Sequence, residues 1–147
     1  MKDIPLNEIT LRKYEKPANL EKRELIRKVC LSLGLLQLGD SRDVMVDILM
    51  ILIEAGKKKE DIKGEEIRKR VEENRKKYSL ETKGLAESNI RRQLKRLKDA
   101  MIIDKFENKY YLSEHSSLKE IFENSIEKFV IPQIIERVRE YLNEVEK

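Results

Sequence analysis

The sequence predicts a mainly α-helical chain carrying one small β-hairpin, and three stretches carry that prediction. Val44 to Ala55 places Val44, Met45, Ile48, Leu49, Ile51, Leu52 and Ile53 around nearly the whole circumference of a helix, the pattern of a central buried element. Leu85 to Ser113 joins an amphipathic helix directly to a tight two-stranded ribbon. From Leu118 to Val145 an apolar stripe recurs at intervals of three and four residues, as in one long helix. With 147 residues, 39% of them hydrophobic, the chain is long enough to bury a core without disulfides or metal.

The elements follow in order. Residues 1–18, with Pro5, Pro17 and scattered charge, form an arm that is ordered only where it packs on something. Asn19 is placed to cap a helix running to about Leu33, with Leu20, Ile26, Val29, Cys30 and Leu33 as its apolar positions. Gly34 and Gly39 then bracket a short apolar linker. Asp40 or Ser41 is the expected cap of the central helix, Arg42 to Ala55, which Gly56 ends. A charged loop, Lys57 to Lys63, leads to a surface helix over Gly64 to Tyr78, whose seam is Ile67, Val71 and Tyr78. The connection Ser79 to Ala86 is longer than the three or four residues of the tightest helix-turn-helix. Three segments result: an arm and helix (1–40), a central domain (41–113) and a C-terminal helix (114–147).

In the helix after this connection, Ile90, Leu94, Leu97 and Met101 are spaced four, three and four apart and stack on one face. The opposite face holds Ser88, Arg92, Lys95, Arg96 and Asp99, flanked by Arg91. Ala100-Met101 turns into Ile102-Ile103. A hairpin follows as Asp104-Lys105-Phe106, a tip near Glu107-Asn108-Lys109, and the return Tyr110 to Ser113. An aliphatic residue, Leu four and seven positions on, a small-residue turn, two aliphatics and a hairpin form the pattern of winged helix-turn-helix transcriptional regulators, which Ser41 to Ser113 resembles, about half the chain. The family usually has Gly where this chain has Met101, so a different helix exit is expected here.

The resemblance implies that the helix Ser88–Lys98 enters the major groove of duplex DNA and that the wing, Ile103–Leu112, lies on backbone or minor groove. Arg91, Arg92, Lys95 and Arg96 would neutralise phosphates or grip guanine edges, with Arg92 and then Lys95 the foremost base readers. Ser88 and Asn89 would bond a base edge or phosphate beside the positive end of the helix dipole, and Lys105 and Lys109 would flank the wing tip. Charge points the same way. From Lys57 to Lys98 there are 16 Lys/Arg against 8 Asp/Glu, whereas Ser113 to Lys147 has 5 against 8, so the excess coincides with this helix. Lys57, Lys58 and Lys59 could add a diffuse phosphate contact, although such a run is more often solvated loop.

Composition excludes other classes. Charged residues reach 41%, a surface of interspersed opposite charges common in proteins from hot environments; an archaeal thermophile is the expected source. The opening MKDIPLNEIT has charges where a secretory leader needs an apolar core. No run is long enough for a membrane span, and a lone Cys30 fits a reducing cytoplasm. Catalysis, metal and cofactor are not expected: His115 stands alone in a Ser-rich connector, and the five glycines are isolated. The apolar neighbours of Cys30 make it a core residue in preference to a redox sensor.

Ser116 or Ser117 is the expected cap of the last helix. Its stripe, Leu118, Phe122, Ile126, Phe129 and Val130, continues as Ile134, Val138, Tyr141 and Val145, with a kink or break expected at Pro132. The stripe covers more turns than a small domain needs, which favours pairing with the same helix of a second subunit. Two recognition helices would then sit about one DNA turn, ~34 Å, apart. The expectation is thus a cytoplasmic, dimeric, duplex-DNA-binding transcriptional regulator. Its rival is a winged-helix module that binds proteins within a transcription, replication or chromosome-organising assembly.

Overall fold

A computed structural model describes residues 3–39 and 42–147. Helices α1 (Lys22–Ser32), α2 (Val44–Lys57), α3 (Gly64–Lys77) and α4 (Glu87–Asp99) precede a hairpin of β2 (Ile103–Phe106) and β3 (Lys109–Leu112), and a two-residue strand β1 (Ile62–Lys63) lies between α2 and α3. A 3-10 turn (Ser113–His115) leads to α5 (Leu118–Ile121), a π-helical segment (Phe122–Val130) and α6 (Ile131–Val145). The sheet is antiparallel, in the order β1-β3-β2. A mainly helical chain with a three-stranded antiparallel sheet in this order is compatible with a winged-helix layout.

Helix α2 is the centre of the core, and every residue from Val44 to Leu52 is buried. Ile67 and Val71 of α3, Ile90, Leu94 and Leu97 of α4, and Ile102, Ile103, Tyr110 and Leu112 of the ribbon join it in one apolar cluster. The exception is Asp47, at 0% exposure. A carboxylate taken out of water must be paired and fully hydrogen-bonded. Arg23 of α1 donates to it at 3.0 and 3.4 Å, Arg75 of α3 at 2.7 Å and Asn74 at 2.8 Å. Asp43, one turn earlier, accepts from Arg75 at 3.0 Å and Arg23 at 3.2 Å. Burial disfavours ionisation of Asp43, but the bonds from Arg75 and Arg23 outweigh it and hold its carboxyl below the ordinary range. Burial likewise opposes the charge on Arg23, and the bonds to Asp47 and Asp43 overcome it and raise its pKa.

The arm packs along α1. The Arg12 amide donates to the Ser32 carbonyl at 2.9 Å, and its guanidinium reaches the carbonyls of Leu31 and Leu36 at 2.8 and 3.2 Å. Thr10 crosses directly over Gly34, where an added Cβ would lie 2.5 Å from the Thr10 Cβ and φ is +71°. Gly34 therefore serves both close approach and backbone. The linker residues Leu35 and Leu36 are buried, and Leu38 is exposed.

Several expectations are corrected. Asn19 does not cap α1: it takes a left-handed φ of 54°, and Glu21 occupies the cap position, so Leu20 lies outside the helix. Helix α2 runs past Gly56 to Lys57, and Asp40 and Ser41, expected as its cap, lie outside the described residues. The loop Lys57–Lys63 contains β1, where Ile62 pairs with Tyr110 and is buried against the ribbon. Met101 adopts φ of 66°, so the left-handed exit that glycine usually supplies is made by methionine, with its side chain 40% exposed and outside the apolar seam. Ile102 and Ile103, both buried, offset that strain by locking the chain that leaves the turn, as buried Leu97 does on the helix side.

The hairpin tip is tighter than expected. Glu107 and Asn108 form a two-residue turn, both with positive φ, and Lys109 already pairs with Phe106. Ser117 caps α5 through a reciprocal capping box with Glu120. Pro132 does not break the last helix: Ile131 keeps φ −61° and ψ −48°, and α6 runs on to Val145. A proline needs a position whose amide donor is dispensable, and the change from π to α winding just before it provides one.

Replacing Asp47 by Ala leaves the two buried guanidiniums with Asp43 as their shared carboxylate, and urea unfolding should show a loss of about 3 kcal/mol. Lys76→Gln, which breaks an exposed 3.5 Å pair on the same helix as Arg75, should cost less than about 0.5 kcal/mol. The depressed pKa of Asp43 makes its stabilising contribution complete above the ordinary carboxyl value of about 3.9 and lost as pH falls through the lower folded-state value. Unfolding midpoints measured from pH 6 to pH 2 should therefore drop below about pH 4, with a shallower drop in Asp43→Asn.

Candidate nucleic-acid interface

Helix α4 is divided cleanly. Ile90, Leu94 and Leu97 are buried, while Ser88, Arg91, Arg92 and Lys95 stand on the exposed face. Its helical stretch is short of apolar residues otherwise, so burial of that one seam fixes which side faces water. Arg91 lies 3.8 Å from Glu87 and Lys95 2.9 Å from Asp99, both pairs exposed and one helical turn apart. Such pairs exchange readily for a stronger anion.

Two of the expected contact residues have internal duties. Asn89 donates to the Gly84 carbonyl at 2.6 Å, closing the turn before α4, and its Oδ1 accepts from Arg92 at 2.7 Å and Gln93 at 3.2 Å. Its amide is thus occupied in aiming Arg92. Arg96 donates to the Leu35 carbonyl at 2.9 Å and to Gln93 Oε1 at 3.2 Å, which ties α4 to the linker after α1. Both thus hold their surroundings in place, and both also line the cleft beside Arg92.

Arg92 and Arg96 line a cleft of about 700 Å³ together with Arg42, Asn89 and Gln93, floored by Leu35, Leu36, Val44 and Met45. The stem of Arg42 passes beside Gly84. Sequence reasoning missed Arg42, which is fifty positions from Arg92 and carries no local pattern that would single it out. The cleft brings three guanidiniums together along one side of α4, from Arg42 near its start to Arg96 in its last turn.

On the ribbon, pairing sets Lys63, Lys109 and Phe106 side by side, and Phe106 is 65% exposed. Lys105 lies with its ammonium 5.5 Å from the centre of the Tyr110 ring. Tyr110 is buried, and Tyr111 stacks on His115 at 4.1 Å, the rings 3° from parallel. His115 also bonds Asp61 at 2.9 Å, so the lone histidine joins the turn after β3 to the loop before β1. Near the start of α1, Lys22 beside Lys57 holds that ammonium below the ordinary lysine range.

Cys30 is fully buried, and burial pushes its thiol up to about 12, which removes it from thiolate chemistry. Among the described residues no group of three or more His, Cys, Asp or Glu could hold a metal ion, and no helix is long and apolar enough to cross a membrane. Comparison with protein-family models, with curated proteins and with solved structures finds no match for this chain.

The division of duties on α4 is testable by stability. Asn89→Ala should lower it by about 1 kcal/mol in thermal unfolding, since a half-buried turn loses its bond. Ser88→Ala, on the exposed side of the same turn, should be within about 0.5 kcal/mol of the parent.

Proposed function

We propose that this chain is a winged-helix DNA-binding transcriptional regulator, cytoplasmic and without catalytic activity, that acts as a homodimer joined through its C-terminal helix. Helix α4 is the recognition helix, and the β2–β3 hairpin is the wing. The observation that carries this reading is the division of α4: one seam buried in the core, and Arg91, Arg92 and Lys95 presented outward beside a cleft with Arg42. In that arrangement Arg92, oriented by Asn89, reads base edges; Lys95 and Arg91 exchange their acidic neighbours for phosphates; and Arg42 holds the backbone at the helix end. Lys105, Lys109 and Lys63 place charge along the wing. Its element order, compatible with the winged-helix layout, supports the same reading.

The test is fluorescence anisotropy on own-promoter and mixed-sequence duplexes over a salt series. Promoter duplex should bind more tightly, with a log–log salt slope near −0.9 for each phosphate neutralised. Arg92→Ala/Lys95→Ala should lose at least about tenfold, the worth of one good base contact, at unchanged thermal stability. Absence of binding at low salt, or an unaffected double variant, would overturn the assignment and favour a protein-binding module.

A further inference from the structure

The dimerisation stripe expected from the sequence is not one surface. Ile126 is buried within its own chain, as are Ile121 and Val130, and Leu118 packs against the core. Phe122 lines a cleft with Tyr14, Leu25 and Val29. Helix α6 differs: none of its residues is buried. Val138 is 52% and Tyr141 70% exposed, and Ile135, Leu142 and Val145 stand out with them. A fifteen-residue helix without tertiary support is marginal in water, so an apolar face of this breadth calls for a partner.

The sequence of α6 specifies the partner and its direction. Ile131, Ile134, Val138, Tyr141 and Val145 are spaced three, four, three and four, the a and d positions of a two-stranded coiled coil. Ile135 and Leu142 then fall at e positions, and Arg137 and Glu144 at g positions. In an antiparallel pair, g faces g and e faces e. Aligning Val138 with the partner's Tyr141, and Ile134 with the partner's Val145, brings Arg137 opposite the partner's Glu144 twice, by symmetry. Along the other edge Ile135 meets the partner's Leu142. A parallel pair would instead set Arg137 against the partner's Leu142. Within one chain Arg137 pairs with Glu140 at 3.2 Å and Glu144 with Lys147 at 2.7 Å, both exposed pairs that cost little to exchange.

We propose that α6 pairs antiparallel with α6 of a second copy through these layers, with Arg137 and Glu144 of the two copies as the orientation-setting contacts. Their bodies then leave from opposite ends of the pair, with the two Ile131 positions roughly 25 Å apart along the axis. This deepens the homodimer of the proposed function, but its test uses no DNA, so the two readings can fail separately. Sedimentation equilibrium of the full chain should give a dimer. Val138→Glu/Tyr141→Glu should give a monomer that loses at most the helical signal of α6 and keeps the cooperative melting of the body, because neither side chain is buried in it. Arg137→Glu and Glu144→Arg should each weaken the dimer at least about fivefold, and the two together should restore it. Chains with Ile134→Cys mixed with chains carrying Val145→Cys should form the mixed disulfide, and Ile134→Cys alone should not cross-link. A monomeric parent chain, failure of the charge exchange to rescue, or cross-linking of Ile134→Cys to itself would each overturn the proposal.

Discussion

The packing of α1 and α3 against the central helix depends on one carboxylate. Asp47 sits fully buried on the most apolar helix of the chain, where an unpaired charge could not survive. Its partners come from both sides: Arg23 from α1 and Arg75 from α3. Apolar side chains could fill this space with equal or greater stability, since buried ion pairs rarely exceed their desolvation cost by much. What they could not do is set register. An apolar seam tolerates sliding by part of a turn, whereas two guanidiniums shared between Asp43 and Asp47 do not. Arg75 also donates to the Glu81 carbonyl, so the same residue that reads the charge on α2 places the chain leading to α4.

Helix α4 inherits its orientation from that frame and then refines it locally. Its inner seam closes on α2 and the ribbon, Arg96 fastens it to the linker after α1, and Asn89 closes its first turn. Asn89, Gln93 and Arg96 are thereby engaged in internal bonds, and Asn89 holds Arg92 as well. Arg92 reaches outward from a side chain already bonded to Asn89, so less conformational freedom is lost when it meets a ligand.

How much of this was legible in the sequence depends on whether the signal was periodic. The central helix, the α3 seam of Ile67 and Val71, the inner face of α4 and the hairpin all rest on spacing, and all lie where spacing puts them. The buried ion network does not announce itself: Arg23 and Arg75 stand among other Lys, Arg and Glu residues, and only the fold distinguishes a guanidinium in the core from its solvated neighbours. Strand β1 has two residues, too few for any alternation. Asn89 and Arg96 have the right chemistry for a groove, yet their bonds go to carbonyls five and sixty-one positions away. Met101 shows the converse, a residue type that argued against a left-handed turn overruled by tight packing on its flank. The C-terminal stripe was read as continuous because winding was assumed uniform.

That assumption fails at the π-helical segment, and its failure has a geometric consequence. Each residue of a wider helix turns the chain through a smaller angle than an α residue, so over the nine residues from Phe122 to Val130 the phase of the helix drifts. The face that seals the domain and the face that α6 presents are decoupled by this drift. The segment therefore acts as a phase adjuster between a fixed body and a free helix. Gain or loss of one residue within it would swing the outer helix by about 100° without disturbing the buried frame around Asp47. Related chains could reorient the same body with respect to whatever α6 holds by changing length at this single place.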